Sequence, residues 1–214
     1  MTSRLNLIAG LAVGFVALTA AVAAGATRGL DRSVASLLGG LWLESLHPLF
    51  QGIALLGGLE LTALVTAGLG VYLWRGGFRR EVWALAAYPA SGALEYVYKR
   101  QIPQAGPPLH HADGPSLSLL FFDSSAHYTF PSGHMLRTVL VYGLLAFVLY
   151  RLLPAGRLRG LVVPAVVAIC AAMAFDRVYL EVHWESDVVG GLLLGGVALA
   201  AATLWLDRPQ EAGE

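Results

Sequence analysis

The residues best suited to chemistry lie in two short segments, 130–134 and 176–187. In the second segment, His183 and Asp187 are four positions apart, one turn if the segment is helical, so their side chains can meet. A carboxylate beside one imidazole nitrogen fixes the tautomer and leaves the other nitrogen free to attack. In the first segment, His134 can protonate a leaving oxygen near neutral pH. These residue types are typical of group transfer through a histidine nucleophile.

The residues around these histidines are suited to binding an anion. Pro131 and Ser132 are helix start signals, and the free N–H groups of a helix N-terminus favour phosphate, sulfate or carboxylate. Gly133 has no side chain, so an anion can approach the backbone closely. Arg177 carries a planar guanidinium that matches phosphate oxygens, and Lys99 adds a second cation. The set predicts phosphoryl transfer, with catalysis mostly by positioning and charge stabilisation.

The same residues also have a structural interpretation. The charged residues of both segments can form an ion-pair network that ties loops together. Lys99 can be an interfacial lysine whose ammonium group reaches the head-group region. Ser132 and Gly133 can simply begin a helix. Unpaired charges beside a bilayer are costly, so a set of charges this dense favours a functional interpretation.

The composition indicates an integral membrane protein. Hydrophobic residues make up 57% of the 214 residues and charged residues 13%, whereas about a quarter of the residues in a soluble domain are charged. The formal net charge is zero, and no basic patch suggests nucleic acid as a partner. Membrane lipids are the expected surroundings, and the sequence does not indicate an oligomeric state. Cys170 lies in an apolar run and is expected to be a buried core residue.

Six stretches are apolar enough to cross a bilayer, which needs roughly 20 residues. They are approximately residues 5–26, 55–74, 82–98, 135–153, 161–179 and 188–206. Residues 27–48 mix charged and apolar side chains and predict an external amphipathic segment along the membrane surface. The polar, Pro-rich stretch 101–130 is the longest loop and cannot lie in hydrocarbon. The prediction is an all-α polytopic membrane protein with six transmembrane helices and an extracytoplasmic loop region.

Basic residues indicate the orientation, because cytoplasmic loops carry an excess of Lys and Arg. One side of the six-span arrangement holds Arg4, Arg75, Arg79, Arg80, Arg151, Arg157, Arg159 and Arg208. We expect this side, with both termini, to be cytoplasmic. The membrane is expected to be the cell (inner or plasma) membrane. The extracytoplasmic side then gathers the end of the third span, the start of the fourth, and the turn between the last two. The candidate residues therefore meet on one surface although they are far apart in sequence.

The glycine pairs of the last span have a packing interpretation. Gly190-Gly191 and Gly195-Gly196 are four to five residues apart, and small residues at this spacing let transmembrane helices approach closely. We expect them to serve close helix packing and not nucleotide binding.

The motifs resemble those of the type 2 phosphatidic acid phosphatase superfamily. Arg177, five residues, His183, three residues and Asp187 match its third signature. Residues 131–134, Pro-Ser-Gly-His, match its second. Residues 99–107 resemble its first, Lys-x6-Arg-Pro, with the lysine at position 99 and the proline at position 107.

The resemblance is strongest over residues 55–206 and implies one membrane-embedded lipid phosphatase domain over residues 1–214. It implies that His183 is a nucleophile that forms a phosphohistidine, that Asp187 orients it, and that His134 is the general acid. The residues implied to hold the phosphate are Lys99, Ser132, Gly133 and Arg177. Because the family needs no metal, neither a metal nor another cofactor is expected.

The implied substrate is a lipid phosphate or diphosphate at the membrane surface. Polyprenyl diphosphate (such as undecaprenyl diphosphate), phosphatidylglycerol phosphate, phosphatidic acid and a lipid A phosphate are the candidates, and a bacterial polyprenyl or glycerophospholipid phosphate is favoured by resemblance and size. One alternative is phosphoryl or head-group transfer to an alcohol through the same histidine. Another is a non-catalytic lipid-phosphate binding or transport protein. The related vanadium haloperoxidases resemble large soluble proteins, and six spans argue against that interpretation.

Two positions depart from the family pattern. Gly106 stands where the first signature has its arginine, and Asp176 stands where a serine usually precedes the third-signature arginine. The missing cation removes one expected phosphate contact, and Asp176 adds negative charge unless it pairs with a neighbouring base. The residues that can replace the arginine are Arg100, Arg137, His110 and His111.

Several acids and histidines remain without an assigned role. Glu60 and Glu95 lie in or near spans, where an acid is a functional candidate by default. Glu95 is also one helical turn before Lys99, so a structural pair with that lysine is equally plausible. A possible metal-binding set comprises His110, His111, Asp113, Asp123 and His127. Their spacing matches no usual metal-ligand pattern, so no metal site is predicted there.

Overall fold

The computed structural model describes residues 2–108 and 128–207. The candidate residues His110, His111, Asp113, Asp123, His127 and Arg208 lie outside this part of the chain. The described residues form α-helices and two 3-10 segments, which confirms the all-α prediction. The α-helices are α1 (Thr2–Ala23), α2 (Arg28–Gly39), α3 (His47–Gly57), α4 (Leu59–Arg75), α5 (Ala87–Gln101), α6 (Gly133–Leu152), α7 (Arg157–Tyr179) and α8 (Glu185–Leu206).

Within the described ranges, five helical stretches are long and apolar enough to cross a membrane, which makes this a multi-pass membrane protein. They are α1, the stretch Glu44–Arg75, α6, α7 and α8. The third predicted span is instead a 3-10 segment, Glu81–Ala86, followed by α5. With about 2.0 Å per residue in the 3-10 segment and about 1.5 Å in the α-helix, the two reach about 34 Å, enough to cross. The total of six spans therefore remains a prediction.

The second predicted span, residues 55–74, contains a break that the sequence analysis did not foresee. Helix α3 ends at Gly57, Gly58 is extended, and α4 begins at Leu59. The backbone groups freed at such a break must find other partners inside a membrane. Tyr142 donates from its hydroxyl to the carbonyl of Leu56 (2.9 Å), and the Nε of Arg137 donates to the carbonyl of Gly57 (3.0 Å). Side chains of α6 thus satisfy the carbonyl groups that the break leaves free.

Glu60 and α2 also have roles in the fold. Glu60 lies in the first turn of α4, where an acid is favoured by the helix dipole.

The predicted amphipathic segment 27–48 contains α2 and a 3-10 turn, and its last two residues already belong to α3. Leu30 and Leu37 of α2 are exposed, whereas Asp31 is buried against the start of α8. The inward face of α2 is therefore anchored by a carboxylate.

Glycines bring α6 and α8 into close contact, as the sequence analysis predicts. A Cβ atom at Gly191 would overlap the carbonyl oxygen of Ser132, and one at Gly195 would lie 2.8 Å from the carbonyl oxygen of Leu136. Real Cβ atoms do not tolerate these separations from backbone. The first turns of α6 and α8, which carry the second and third motifs, consequently lie side by side.

The opposite end of this helix pair gathers basic residues. Arg4 of α1 and Arg151 of α6 both form ion pairs with Asp207, just after α8. The carbonyl of Arg80 accepts a hydrogen bond from the indole of Trp205 (3.0 Å). Four segments expected on the cytoplasmic side therefore meet at one end of the molecule, one helix length away from the two motifs.

Candidate active site

His183 and Asp187 are in contact, but not as two residues of one helical turn. His183 lies in the turn between α7 and α8, and Asp187 lies in the first turn of α8. The Oδ2 atom of Asp187 accepts from the Nδ1 of His183 (3.3 Å) and from the backbone N–H of Trp184 (3.0 Å). Because an ionised carboxylate only accepts, Nδ1 carries the imidazole proton and Nε2 keeps its lone pair. The expected pair is present, formed by the cap of α8.

His183 is buried, and its environment favours the neutral ring. Burial lowers the pKa of His183 below its ordinary value of 6.5, and the hydrogen bond and charge of Asp187 oppose this effect in part. The positive charges of Lys99 and Arg177 act in the same direction as burial. A neutral imidazole with a free Nε2 is the form that can attack an electrophile.

Ser132 is tied to the third motif through its backbone, while its hydroxyl is left over. Its N–H donates to the carbonyl oxygen of Asp187 (2.9 Å), which fixes the start of α6 against the start of α8. The side chain is fully buried and makes no capping hydrogen bond to α6. Its Oγ has no hydrogen-bond partner among residues 2–108 and 128–207. A buried hydroxyl in this position is available to a ligand.

His134 lies in the first turn of α6, immediately after Ser132 and Gly133. It is half-buried, whereas the residues on either side of it are buried. His183 and the cations Lys99, Arg137 and Arg177 are all close enough to His134 to interact with its charge. The fold therefore brings the two histidines of the separate motifs close enough for their charges to interact.

Arg177 is completely buried at the end of α7. Its Nε donates to the Oδ2 of Asp176 at 2.7 Å, and its Nη2 pairs with the same oxygen. Its carbonyl oxygen accepts from the N–H of His183 (3.2 Å), so the turn that carries the nucleophile candidate closes directly on this arginine. The departure at position 176 thus supplies a buried counter-ion that holds the guanidinium.

A second buried ion-pair cluster holds Lys99. The Nζ of Lys99 lies 3.2 Å from the Oε1 of Glu95, and the Nη1 of Arg137 lies 3.0 Å from the Oε2 of the same carboxylate. Glu95 is only 2% exposed. A Cβ atom at Gly133 would overlap the Glu95 carboxylate, so the cluster fits against the start of α6 only because residue 133 is a glycine.

The structure separates the arginines suggested as replacements for the missing first-signature cation. Arg137 is buried in the Glu95 cluster, one turn after His134. Arg100 is exposed, and its guanidinium stacks on the ring of Tyr96 at 4.6 Å. Arg137, and not Arg100, thus lies in the buried cluster beside the second motif.

Gly106 lies in a different environment from the Glu95 cluster. It lines a cavity of about 260 Å³ beside the third motif. The other lining residues are Val22, Arg28, Asp31, Arg32, Pro103, Gln104, Ala105 and Trp184. Two arginines of α2 therefore lie near the position of the missing arginine. Their place on the predicted extracytoplasmic segment was the signal in the sequence that could have drawn attention to them.

Two polar residues that the sequence analysis did not single out hold the third motif. The Nε2 of Gln104 donates to the Oδ1 of Asp187 (2.8 Å), and Asp31 accepts from the backbone N–H of Ser186 (3.0 Å). Both contacts join residues that are more than 80 positions apart. No local pattern in the sequence indicates them.

Among the described residues, no group of three or more His, Cys, Asp or Glu side chains is arranged to hold a metal ion. The five residues considered as a possible metal-binding set lie outside these ranges. Metal independence is therefore still a prediction.

Comparisons with known proteins bear on the family of this chain. The sequence model of the PAP2 superfamily matches residues 80–211, more than half of the chain. The chain belongs to the PAP2 superfamily. Phosphatidylglycerophosphatase B of Bacillus subtilis (strain 168) is 28% identical over 188 residues, which cover 85% of this chain and 85% of that protein. A protein of Escherichia coli (strain K12), provisionally named undecaprenyl-diphosphatase YbjG, is 42% identical over 86 residues, 40% of this chain and 39% of that protein.

A solved structure has the same fold. The crystal structure of a transmembrane PAP2-type phosphatidylglycerolphosphate phosphatase from Bacillus subtilis superposes with a TM-score of 0.78 at 24% sequence identity. The match covers 97% of this chain and 99% of that one. Family membership, the fold and the names of the relatives together support a PAP2-family membrane phosphatase.

Proposed function

We propose that this protein hydrolyses a lipid phosphate or diphosphate through a phosphohistidine on His183. The observation that carries the proposal is the orientation of this ring. Its Nδ1 faces the Asp187 carboxylate at 3.3 Å, so Nε2 is the free nucleophile, and burial keeps the ring neutral. The cations Lys99 and Arg177 act on the same ring. A phosphoryl group that binds between these two cations lies next to the nucleophile, and the cations stabilise its negative charge.

The first chemical step breaks the bond between phosphorus and the leaving oxygen. The lone pair of Nε2 of His183 forms a P–N bond, and the electron pair of the broken P–O bond leaves with the lipid oxygen. His134 gives that oxygen a proton. The leaving group is a lipid alcohol from a monophosphate, or a lipid monophosphate from a diphosphate.

The second step returns the enzyme to its starting state. His134, now unprotonated, takes a proton from water, whose oxygen attacks phosphorus and breaks the P–N bond. Inorganic phosphate leaves, and Nε2 regains its lone pair. Asp187 stabilises the positive charge that develops on the ring in the first step and is lost in the second.

The groups proposed to bind the phosphoryl oxygens are already held in place in the structure. Arg177 is held by Asp176, and Lys99 is held by Glu95, so neither long side chain has to be ordered when the substrate binds. The Ser132 hydroxyl, buried without a partner among the described residues, donates to the same oxygens. Gly133 lets the Glu95 carboxylate, and Lys99 with it, lie against the first turn of α6. Arg137 adds the positive charge that Gly106 lacks.

The substrate class follows from the membrane setting and the relatives. The site lies at the ends of apolar helices, so the lipid tail remains in the bilayer while the head group enters the pocket. We favour phosphatidylglycerol phosphate or polyprenyl diphosphate, because the curated relatives are named for these activities. Phosphatidic acid is a further candidate. We infer an extracytoplasmic pocket and cytoplasmic termini, since Arg4 and Arg151 lie at the opposite end of the molecule.

The test uses purified full-length protein in detergent micelles and measures phosphate release from phosphatidylglycerol phosphate, farnesyl diphosphate and phosphatidic acid. His183→Ala is expected to abolish turnover, and His134→Ala to reduce release of poor leaving groups most. His47→Ala is the matched control, because His47 begins α3 outside the site and should retain activity. Rapid quench with labelled substrate should trap an acid-labile, alkali-stable phosphoprotein in wild type.

Equal turnover by wild type and His183→Ala would overturn the proposal. Loss of activity in EDTA that one divalent ion restores would overturn metal independence. A phosphate monoester of an added alcohol, formed in place of inorganic phosphate, would assign the transferase alternative instead.

A further inference from the structure

The carboxylate of Asp187 is held on both of its oxygens. On one side, Oδ2 accepts from the Nδ1 of His183 and the N–H of Trp184. On the other side, Oδ1 accepts from the side-chain amide of Gln104 at 2.8 Å. Asp187 is fully buried, so these donors decide how the carboxylate is oriented. Gln104 lies between the lysine and the proline of the first signature, at a position that the signature leaves open.

The hydrogen-bond chain around Gln104 has one consistent direction. The ionised carboxylate of Asp187 accepts only, so the amide NH2 of Gln104, and not its oxygen, faces Asp187. The same Nε2 donates its second proton to the Oγ of Ser186 (2.9 Å). The hydroxyl of Ser186 in turn donates to the Oδ2 of Asp31 (3.0 Å), and the Oδ1 of Asp31 accepts from the backbone N–H of Ser186 (3.0 Å). Both amide protons and the hydroxyl proton therefore have acceptors.

The backbone of Gln104 is fixed as well. Its carbonyl oxygen accepts from both the N–H (3.0 Å) and the hydroxyl (3.1 Å) of Thr129, three residues before Ser132. The indole of Trp184 donates to the carbonyl of Ala105 (2.7 Å). Residues 104 and 105 are thus hydrogen-bonded to Thr129, just before the second motif, and to Trp184 of the third.

We propose that Gln104 is a positioning residue that orients the Asp187 carboxylate toward His183, and that Asp31 of α2 supports it through Ser186. The proposal rests on the hydrolysis through His183 described above. With Gln104 in place, Oδ1 is occupied and Oδ2 is directed at Nδ1, so the ring presents Nε2 to phosphorus. Without it, the carboxylate can rotate and its charge is no longer balanced on the Oδ1 side.

The conservative variant Gln104→Glu separates positioning from simple packing, because the two side chains have nearly the same shape. In its ionised form, the introduced side chain would face the Asp187 carboxylate without a proton to donate, which removes the hydrogen bond and adds repulsion. In its protonated form, the introduced carboxyl group donates to Oδ1 as the amide does. Activity of this variant relative to wild type should therefore rise as the pH falls. Within residues 2–108 and 128–207, the other titratable or charged groups near position 104 are His183, Asp31 through Ser186, and Arg28 and Arg32 across the cavity.

The experiment measures kcat and KM from pH 5 to pH 9 with purified full-length protein and phosphatidylglycerol phosphate in micelles. Gln104→Met keeps the side-chain length without a donor, and we expect kcat about tenfold lower with KM within about twofold, as for loss of a hydrogen bond to a charged group. Gln104→Glu should show a similar loss at pH 8 that recovers to within about threefold at pH 5.5. Gln101→Glu is the matched control, since Gln101 is exposed at the end of α5 and the change in charge is identical.

Three results would overturn the positioning role. They are kcat within twofold of wild type in Gln104→Met, a pH profile of Gln104→Glu parallel to that of wild type, and an effect on KM alone. A thermal melt of each variant in detergent checks folding, and Gln104→Glu at low pH provides rescue within one folded protein. If wild type itself shows no turnover that depends on His183, the hydrolysis proposal fails instead, so the two failures are distinguishable.

Discussion

The carboxylate of Glu95 is shared by two cations in a nearly dry environment, and removing it should destabilise the protein strongly. Glu95 is 2% exposed and Arg137 5% exposed, with 3.0 Å between their charged atoms. Truncating one partner of a buried ion pair typically costs about 3–5 kcal/mol, because the other charge remains buried. At about 1.4 kcal/mol per factor of ten, Glu95→Leu should raise the unfolding constant by about two to four orders of magnitude.

Removing both partners should restore much of the loss. Arg137→Met alone leaves Glu95 with Lys99 as its partner, and Glu95→Leu alone leaves the guanidinium buried beside Lys99. The double variant replaces the pair with apolar side chains of similar volume, which is often close to neutral. We therefore expect the double variant to be at least about 2 kcal/mol more stable than the sum of the single effects predicts.

The assay is equilibrium unfolding of purified protein in mixed micelles, with tryptophan fluorescence as the signal and a thermal melt as a second measure. For a chain of this size, about 3–5 kcal/mol corresponds to a decrease in Tm of roughly 6–20 °C. Glu44→Leu is the control, because Glu44 is exposed and should change stability by less than about 0.5 kcal/mol. Additive single effects, or a loss below about 1 kcal/mol for Glu95→Leu, would show that the cluster is well hydrated and would refute the reasoning.

Four further predictions concern the proposed catalytic residues and the glycine beside them. Asp187→Asn should lower kcat by about 10³-fold or more with an intact fold, because an amide no longer selects the Nδ1–H tautomer; a loss below tenfold would contradict this role. Since burial lowers the pKa of His183, kcat/KM should stay high as the pH falls to 6.5 and decline only below it. Because the pKa of His183 is lowered in the folded state, the unfolded state binds more protons below pH 6.5. The contribution of the neutral ring to stability is therefore present above this pH and is lost as the pH falls through the lowered pKa. The Tm values of wild type and His183→Ala should depend differently on pH in that window. Gly133→Ala should abolish activity and lower Tm, because its Cβ overlaps the Glu95 carboxylate, whereas Gly92→Ala, with open space around it, should be neutral or slightly stabilising.

Much of the site could be predicted from the sequence because its chemistry is carried by short motifs. The spacing of His183 and Asp187 predicts their contact, and the contact is present although it is formed by a helix cap. The pairing of Glu95 with Lys99 was anticipated as one alternative from their four-residue separation. The membrane class followed from the low charged fraction and the long apolar stretches, and the structure confirms a multi-pass helical protein.

Other features depended on contacts between distant parts of the chain. The break at Gly58 is not apparent in an apolar stretch, because what permits it is the donor groups of Tyr142 and Arg137 on another helix. Arg137 is the buried cation because it lies on the side of α6 that faces Glu95, whereas Arg100 lies on another side of α5 and stacks on Tyr96.

The sequence by itself determined the residue types, their order and the positions of the apolar stretches, since these are local properties of the chain. Only the tertiary structure decided which polar groups satisfy one another once water is excluded. Gln104 and Asp31 illustrate the difference, because their partners are 83 and 155 residues away. A buried carboxylate accepts whichever donors the packing of α2, α8 and the segment after α5 brings to it, and no local spacing encodes that choice.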